Sequence, residues 1–284
     1  MEKITYRNAN GDSISFANSA PFYLESIDAN SVGTAYSTQK AIGQDGQDIL
    51  DITYNPRTVV AKLAFCGIKN GRYDEAAMHK NWLTISRVLI PNQAGTLIYQ
   101  NDAGIYKIAC RPSELPNFTR SVGTLCRFSV DFTADYPFWK SYTDFTARLG
   151  TVVGGKRYPV IYNPALRYGE WVMKAAIKND CGIPTPFAIT IESVSTYAKI
   201  INQRGEYLYI DQMTGEGEKL VIDTENYTVT LIQADGTEVL ANHKITLDSS
   251  YFRLYPGINI LTLENGEDSA AKATVAYNQL YLGV

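Results

Sequence analysis

Residue types able to do chemistry are few and widely spaced in this 284-residue chain. Its two histidines, His79 and His243, sit in no recognisable Ser or Cys constellation for nucleophilic attack. The four cysteines, Cys66, Cys110, Cys126 and Cys181, lie far apart, without the CxxC or Cys/His spacing that holds zinc. They read as small buried hydrophobes on strands, and their even number leaves disulfides open. The run GQDGQDILD gathers Asp45, Asp48 and Asp51, but the ligand alternation, central glycine and terminal Glu of a calcium loop are missing. It reads as a turn rich in Gly and Asp. Glycoside hydrolysis needs two carboxylates brought together in space, and Glu192, Glu225 and Asp248 are scattered acids that suit outer strand faces equally well. GGKRYP (residues 154–159) lacks the strand-loop-helix setting of a phosphate cradle. The expectation is a non-enzyme with no cofactor, metal or catalytic residue.

Aromatic residues make up 12% of the chain and include Trp82, Trp139 and Trp171. They could stack on sugar rings, and they serve a core equally well. A carbohydrate-binding, lectin-like adhesin is therefore the alternative reading of function.

The composition must be able to position such residues. Apolar residues at 45% and charged residues at 19% are those of a globular protein with a real core, and the 20 Tyr favour strands. Residues 1–140 carry 14 Lys and Arg against 13 Asp and Glu, and the remainder 12 against 16. Neither half has a basic stripe, which argues against direct nucleic-acid binding. The opening MEKITYRNANGD has no apolar leader, and no apolar stretch is long enough to cross a membrane. These features predict a soluble chain made in the cytosol.

Strand signals dominate. Asn10-Gly11 between two alternating runs predicts a hairpin, and TLIYQNDAGIYKIA predicts another. TVVAKLAF places Val59, Ala61, Leu63 and Phe65 on one face, and LCRFSVDF does the same for Cys126, Phe128, Val130 and Phe132. A single helix is predicted from Tyr73 to about Leu89, with Met78, Trp82, Ile85 and Leu89 on one stripe, Asp74 and Glu75 in the first turn, and Pro91 as its stop. After DYPFW, where Pro137 ends a strand and Phe138 and Trp139 are poised to pin the chain to a core, periodicity is lost until about residue 169. Short strands then resume to the end. The fold class expected is mainly β: an N-terminal β domain with one α-helix (1–140), a linker (141–168) and an all-β C-terminal domain of sandwich or jelly-roll type (169–284).

The order of these elements resembles the distal tail protein (Dit) family of siphophages. Carrying the resemblance are the Asn10-Gly11 hairpin, the phrase around Pro21-Phe22, GQDG (Gly43, Asp45, Gly46), ADYPFW (Pro137, Phe138, Trp139), NDCGIPTPFAITIE, LVIDT and LDSSYFRLYPGINIL, which contains Pro256, Gly257 and Asn259. It spans nearly the whole chain. In DYPFW, Tyr136 separates Asp135 from the Pro-Phe-Trp, a departure from the family phrase. The resemblance implies a homo-hexameric ring hub at the virion tail tip. Such a hub joins the tail-tube protein to a tail-associated baseplate protein and offers a platform to a receptor-binding protein. It also implies assembly in the bacterial host cytoplasm, and in fold an N-terminal β-sandwich with one helix followed by a C-terminal galectin-like β-sandwich.

Overall fold

A computed structural model describes residues 2–69, 72–118, 125–153, 170–192, 197–211, 215, 217–265 and 272–284. The chain forms two compact units, Met1–Tyr142 with Tyr281–Val284, and Thr143–Leu280. GGKRYP, and with it most of the expected linker, lies outside the described residues.

In the first unit, β1 (Lys3–Asn8) and β2 (Ser13–Phe16) form one hairpin, and β3 (Asn18–Ser19) with β4 (Phe22–Asp28) a second. A third, β5 (Thr34–Gln39) with β6 (Asp48–Tyr54), precedes the long strand β7 (Arg57–Cys66). The short pair β8 (Ile68–Lys69) and β9 (Arg72–Tyr73) leads into helix α1 (Glu75–Val88). Then come β10 (Gly95–Gln100), β11 (Ile105–Pro112), β12 (Leu125–Ala134) and β13 (Trp139–Ser141).

These strands make two antiparallel layers of one folded-over sheet. One layer runs β2-β1-β10-β11, with β13 added on β11; the other runs β12-β7-β4-β3. The layers join at both margins. Arg111 and Pro112 at the end of β11 pair with Thr133 and Phe132 of β12. On the far side, Ala17 carries the chain from β2 to β3 while bonding Phe22 and Leu24 of β4. The alternating residues of β7 and β12 point into the space between the layers, as their period of two dictates. Tyr6 meets Phe132 there, ring centres 5.2 Å apart, and Phe16 meets Phe128 at 6.1 Å. Burying each such side chain contributes about 1.5–3 kcal/mol.

Helix α1 packs its buried side chains into the same core as Leu63 and Phe65 of β7, and Asn81 Nδ2 donates to the Cys66 carbonyl at 2.8 Å at the end of that strand. Asp74 is its N-cap, accepting from the amides of Ala76 at 2.9 Å and Ala77 at 3.3 Å, one residue before the first turn where it was expected. Met78, Ile85, Val88 and Leu89 are buried, but Trp82 is 45% exposed. Val88 in place of Trp82 completes the buried stripe, which swings its centre away from the tryptophan.

The second unit is an antiparallel sandwich. Its larger sheet holds β14 (Phe145–Leu149), β18 (Phe187–Glu192), β21 (Lys219–Asp223), β22 (Thr228–Ile232), β23 (Glu238–Leu240) and β25 (Lys272–Tyr277), in the order β14-β25-β18-β21-β22-β23. The facing sheet is β17 (Lys174–Asn179), β24 (Gly257–Asn265), β19 (Ala198–Asn202) and β20 (Tyr207–Ile210). A separate pair joins β15 (Thr151–Val153) to β16 (Glu170–Val172), which contains Trp171. Ile189, Ile191, Leu220 and Ile222 from one sheet and Ile200, Leu208, Leu261 and Leu263 from the other form the core. Residues 145–149, read above as linker, are thus a sheet strand whose partner is the distant β25.

All four cysteines are free thiols and buried, which answers the disulfide question left open above. Burial pushes the Cys110 thiol up to about 12.

Candidate functional site

The residues with chemical potential stay apart. His79 is exposed on α1, 3.9 Å from the Glu75 carboxylate and stacked beside Trp82. His243 lies in a one-turn helix, Asn242–Lys244. Glu192 pairs with Lys219 at 2.8 Å on an outer sheet face. Among the described residues, no group of three His, Cys, Asp or Glu converges as a metal site. Asp45, Asp48 and Asp51 line the exposed β5–β6 hairpin: Asp45 is in its turn and the other two are on β6.

Gly43 and Gly46 occupy that turn with φ of +81° each, a left-handed conformation that glycine adopts without strain. The Ala41 amide donates to Gln44 Oε1 at 2.9 Å, and the Gln44 amide returns a bond to the Ala41 carbonyl. Gln44 closes the turn through both its side chain and its backbone.

Pro137, Phe138 and Trp139 connect β12 to β13. Trp139 is fully buried in the first unit's core, its indole N–H donating to the Ala29 carbonyl at 2.9 Å. Phe138 contacts Tyr54 and Tyr136 edge-on, with ring centres 5.3 and 5.1 Å away. The segment around Ala29 receives more than the tryptophan. Arg57, also fully buried, donates from Nη1 to the same carbonyl at 2.7 Å and from Nη2 to the Leu282 carbonyl. Asn30 accepts the Val284 amide at 3.0 Å, so the last four residues are held against the first unit. Burial lowers the Arg57 pKa, and the charge of Asp28 opposes that shift. Sequence reasoning missed Arg57, because an Arg at a strand start ordinarily reads as solvated. Asp135, next to the aromatic phrase, pairs with Arg111.

In the second unit Pro256, Gly257 and Asn259 shape the approach to β24. Gly257 takes φ of +98°. Asn259 is buried and grips Tyr255 from both ends of its amide: Nδ2 donates to the Tyr255 carbonyl at 2.6 Å, and Oδ1 accepts the Tyr255 amide at 2.8 Å. Replacing Asn259 with Ala leaves these half-buried backbone groups without their partner and is expected to cost about 1–2 kcal/mol. The check is the denaturant midpoint of the second unit; an unchanged midpoint refutes the role. A parallel device, absent from the sequence reading, is Asn179, whose Nδ2 donates to the Ile183 carbonyl at 2.9 Å and the Leu254 carbonyl at 2.8 Å.

Among the tryptophans whose side chains the structure describes, Trp139 is sealed and Trp82 has a partly exposed ring, on α1. Trp82 borders a groove with Phe65, Tyr73, Met78 and Phe118, and its ring centre is 5.2 Å from that of Phe118. In the second unit Tyr227 is 54% exposed at φ of +57° and meets Tyr251 edge-on.

The geometry is that of surfaces and clasps, and the comparisons with known proteins agree with it. Residues 9–134 match the model of a phage tail protein RIFT-related domain. Residues 180–281 match that of a siphovirus-type tail component, C-terminal domain. No curated protein matches the chain in sequence. In fold the chain is similar to the Dit protein of phage SPP1, described as a paradigm of the hub adsorption apparatus in phages infecting Gram-positive bacteria. The TM-score is 0.68 at 11% identity, over 98% of this chain and 99% of that one. It is also similar to a chain of the phage P2 baseplate in its activated conformation, solved with Ca and with Sr. There the TM-score is 0.53 at 13% identity, over 100% of both chains. Likeness at these identities is likeness of fold.

Proposed function

The chain belongs to the siphophage distal tail protein family and is a structural tail component, and on that premise we propose that it acts as the ring hub of the tail tip. Six copies close through their first units around a channel. One side of the ring meets the tail-tube protein and the other a tail-associated baseplate protein, and the second unit projects as a platform for a receptor-binding protein. The ring works at the virion tail tip after synthesis and assembly in the bacterial host cytoplasm, and it does no catalysis.

The observation that carries this reading is the collinear match of both halves to tail-protein families, residues 9–134 and then 180–281. The near balance of charge in residues 1–140 supports it, since strong like charge would oppose closure of identical units. Negative-stain electron microscopy of the purified chain tests it. Six-fold rings with an open centre are expected; particles that never close at any concentration overturn a self-closing hub.

A further inference from the structure

Helix α1 presents Glu75, His79 and Trp82, four and then three positions apart, along one stripe, and all three line the groove beside it. Tyr73 of β9 and Phe118, from the segment after β11, line it from two further elements. Its buried lining residues, Phe65, Met78 and Cys126, are all apolar. The groove holds about 410 Å³ of empty space, open water at its mouth included, a size that suits a small molecule.

The aromatic rings there are held in place yet left uncovered. Trp82 meets Phe118 edge-on with ring centres 5.2 Å apart, and Phe118 meets Phe65 in the same way at 5.3 Å. His79 stacks beside Trp82 at 6.2 Å. These contacts order the indole before any guest arrives, which removes part of the entropic cost of binding. Trp82 nevertheless stays 45% exposed and Tyr73 40%. Aromatic faces carry a negative quadrupole, so several of them around one space attract a cation.

Charge and hydrogen bonding narrow the choice of guest. Among the described residues, the lining carries one carboxylate, that of Glu75, and no Lys or Arg. A carboxylate or phosphate group would be repelled there. A primary ammonium must find acceptors for three N–H groups, and an apolar floor offers none. A quaternary ammonium has no N–H to satisfy, and its methyl groups suit both aromatic rings and the Met78 thioether.

We propose that the α1 groove is a binding site for a trimethylammonium head group such as that of choline. Tyr73, Trp82 and Phe118 surround the methyl groups, Phe65 and Met78 form the floor, and Glu75 supplies the opposing charge. The site lies within one copy of the first unit, so it does not depend on the ring reading.

The test titrates the full chain with choline at constant ionic strength. Binding is read by saturation transfer to the choline methyl protons and, in the parent, by the indole N–H signal of Trp82, identified by its loss in Trp82→Phe. That signal is expected to shift and saturate in the millimolar range, as befits a ligand of so few atoms. Ethanolamine, and the neutral isostere of choline with carbon in place of nitrogen, should each bind about fivefold more weakly or worse. Trp82→Ala should weaken choline binding by about fivefold or more, and Glu75→Gln by about twofold to fivefold, since that carboxylate is exposed. Should Trp82→Ala fail to fold, Glu75→Gln and the isostere comparison on the parent decide. Phosphocholine separates the sources: retained binding assigns the cage to head groups carried on a phosphate, and lost binding to free ammonium compounds. A Trp82 signal unmoved at about 100 mM choline, or an isostere that binds as well as choline, overturns the site.

Discussion

Trp139→Ala lowers the stability of the first unit by about 3–5 kcal/mol, the largest loss expected of any single side chain in it. The ring is fully buried, so its removal forfeits transfer free energy and opens a cavity that two joined sheet layers cannot collapse to fill. Tyr99, its ring centre 6.1 Å away, loses its neighbour. The Ala29 carbonyl keeps the Arg57 bond, so it is weakened and not orphaned. Trp139→Phe restores most of the volume without the indole N–H and should cost about 1–2 kcal/mol. Urea unfolding, read by hydrogen exchange across residues 3–142, separates the two variants. An alanine variant as stable as the parent would remove the clasp from this account.

Arg57→Ala is the second large effect, about 3 kcal/mol or more. A guanidinium buried in this way has already lost its hydration, and two carbonyls recover part of that cost. Deleting it leaves the Leu282 carbonyl without its donor and a large void under the returning tail. Arg57→Met fills the void with an apolar chain of similar length and should cost less, because the desolvation of the cation disappears together with its bonds. Arg57→Lys should not rescue, since a single ammonium on a flexible stem lacks the fork that reaches Ala29 and Leu282 together. The specific readout is amide exchange at Tyr281–Val284, which should quicken in the alanine and lysine variants. Trp139 and Arg57 share the Ala29 acceptor, so their losses should not add. A strictly additive double variant would show that the shared carbonyl does not couple them.

Much of the fold was legible in local pattern. A period of two over residues 58–65 and 125–132 reports a half-buried strand whatever its partner, and both runs face the core as read. Asn10-Gly11 specified its hairpin through backbone conformation, with Gly11 at φ of +88°. Pattern failed where the answer depended on a distant neighbour. Trp82 shares the spacing of Met78 and Ile85 but lies at the margin of the stripe the sheet covers. Residues 145–149 carry no signal that survives without their partner strand, residues 273–277. The Gly- and Asp-rich turn was readable at residues 43–46, but the flanking strands were not, because every residue of both is exposed and no buried face marks their period.

By itself, then, the sequence determined the β character, the single helix, the turns and the order of family phrases, since each follows from chain stiffness, side-chain period or residue type within a few positions. Only the tertiary structure decided that Arg57 is sealed against Ala29 and Leu282, a carbonyl 225 residues away, and that both strands of the β5–β6 hairpin are exposed. Burial of a charge and exposure of an apolar face both depend on what the rest of the chain brings alongside, and no local window contains that information.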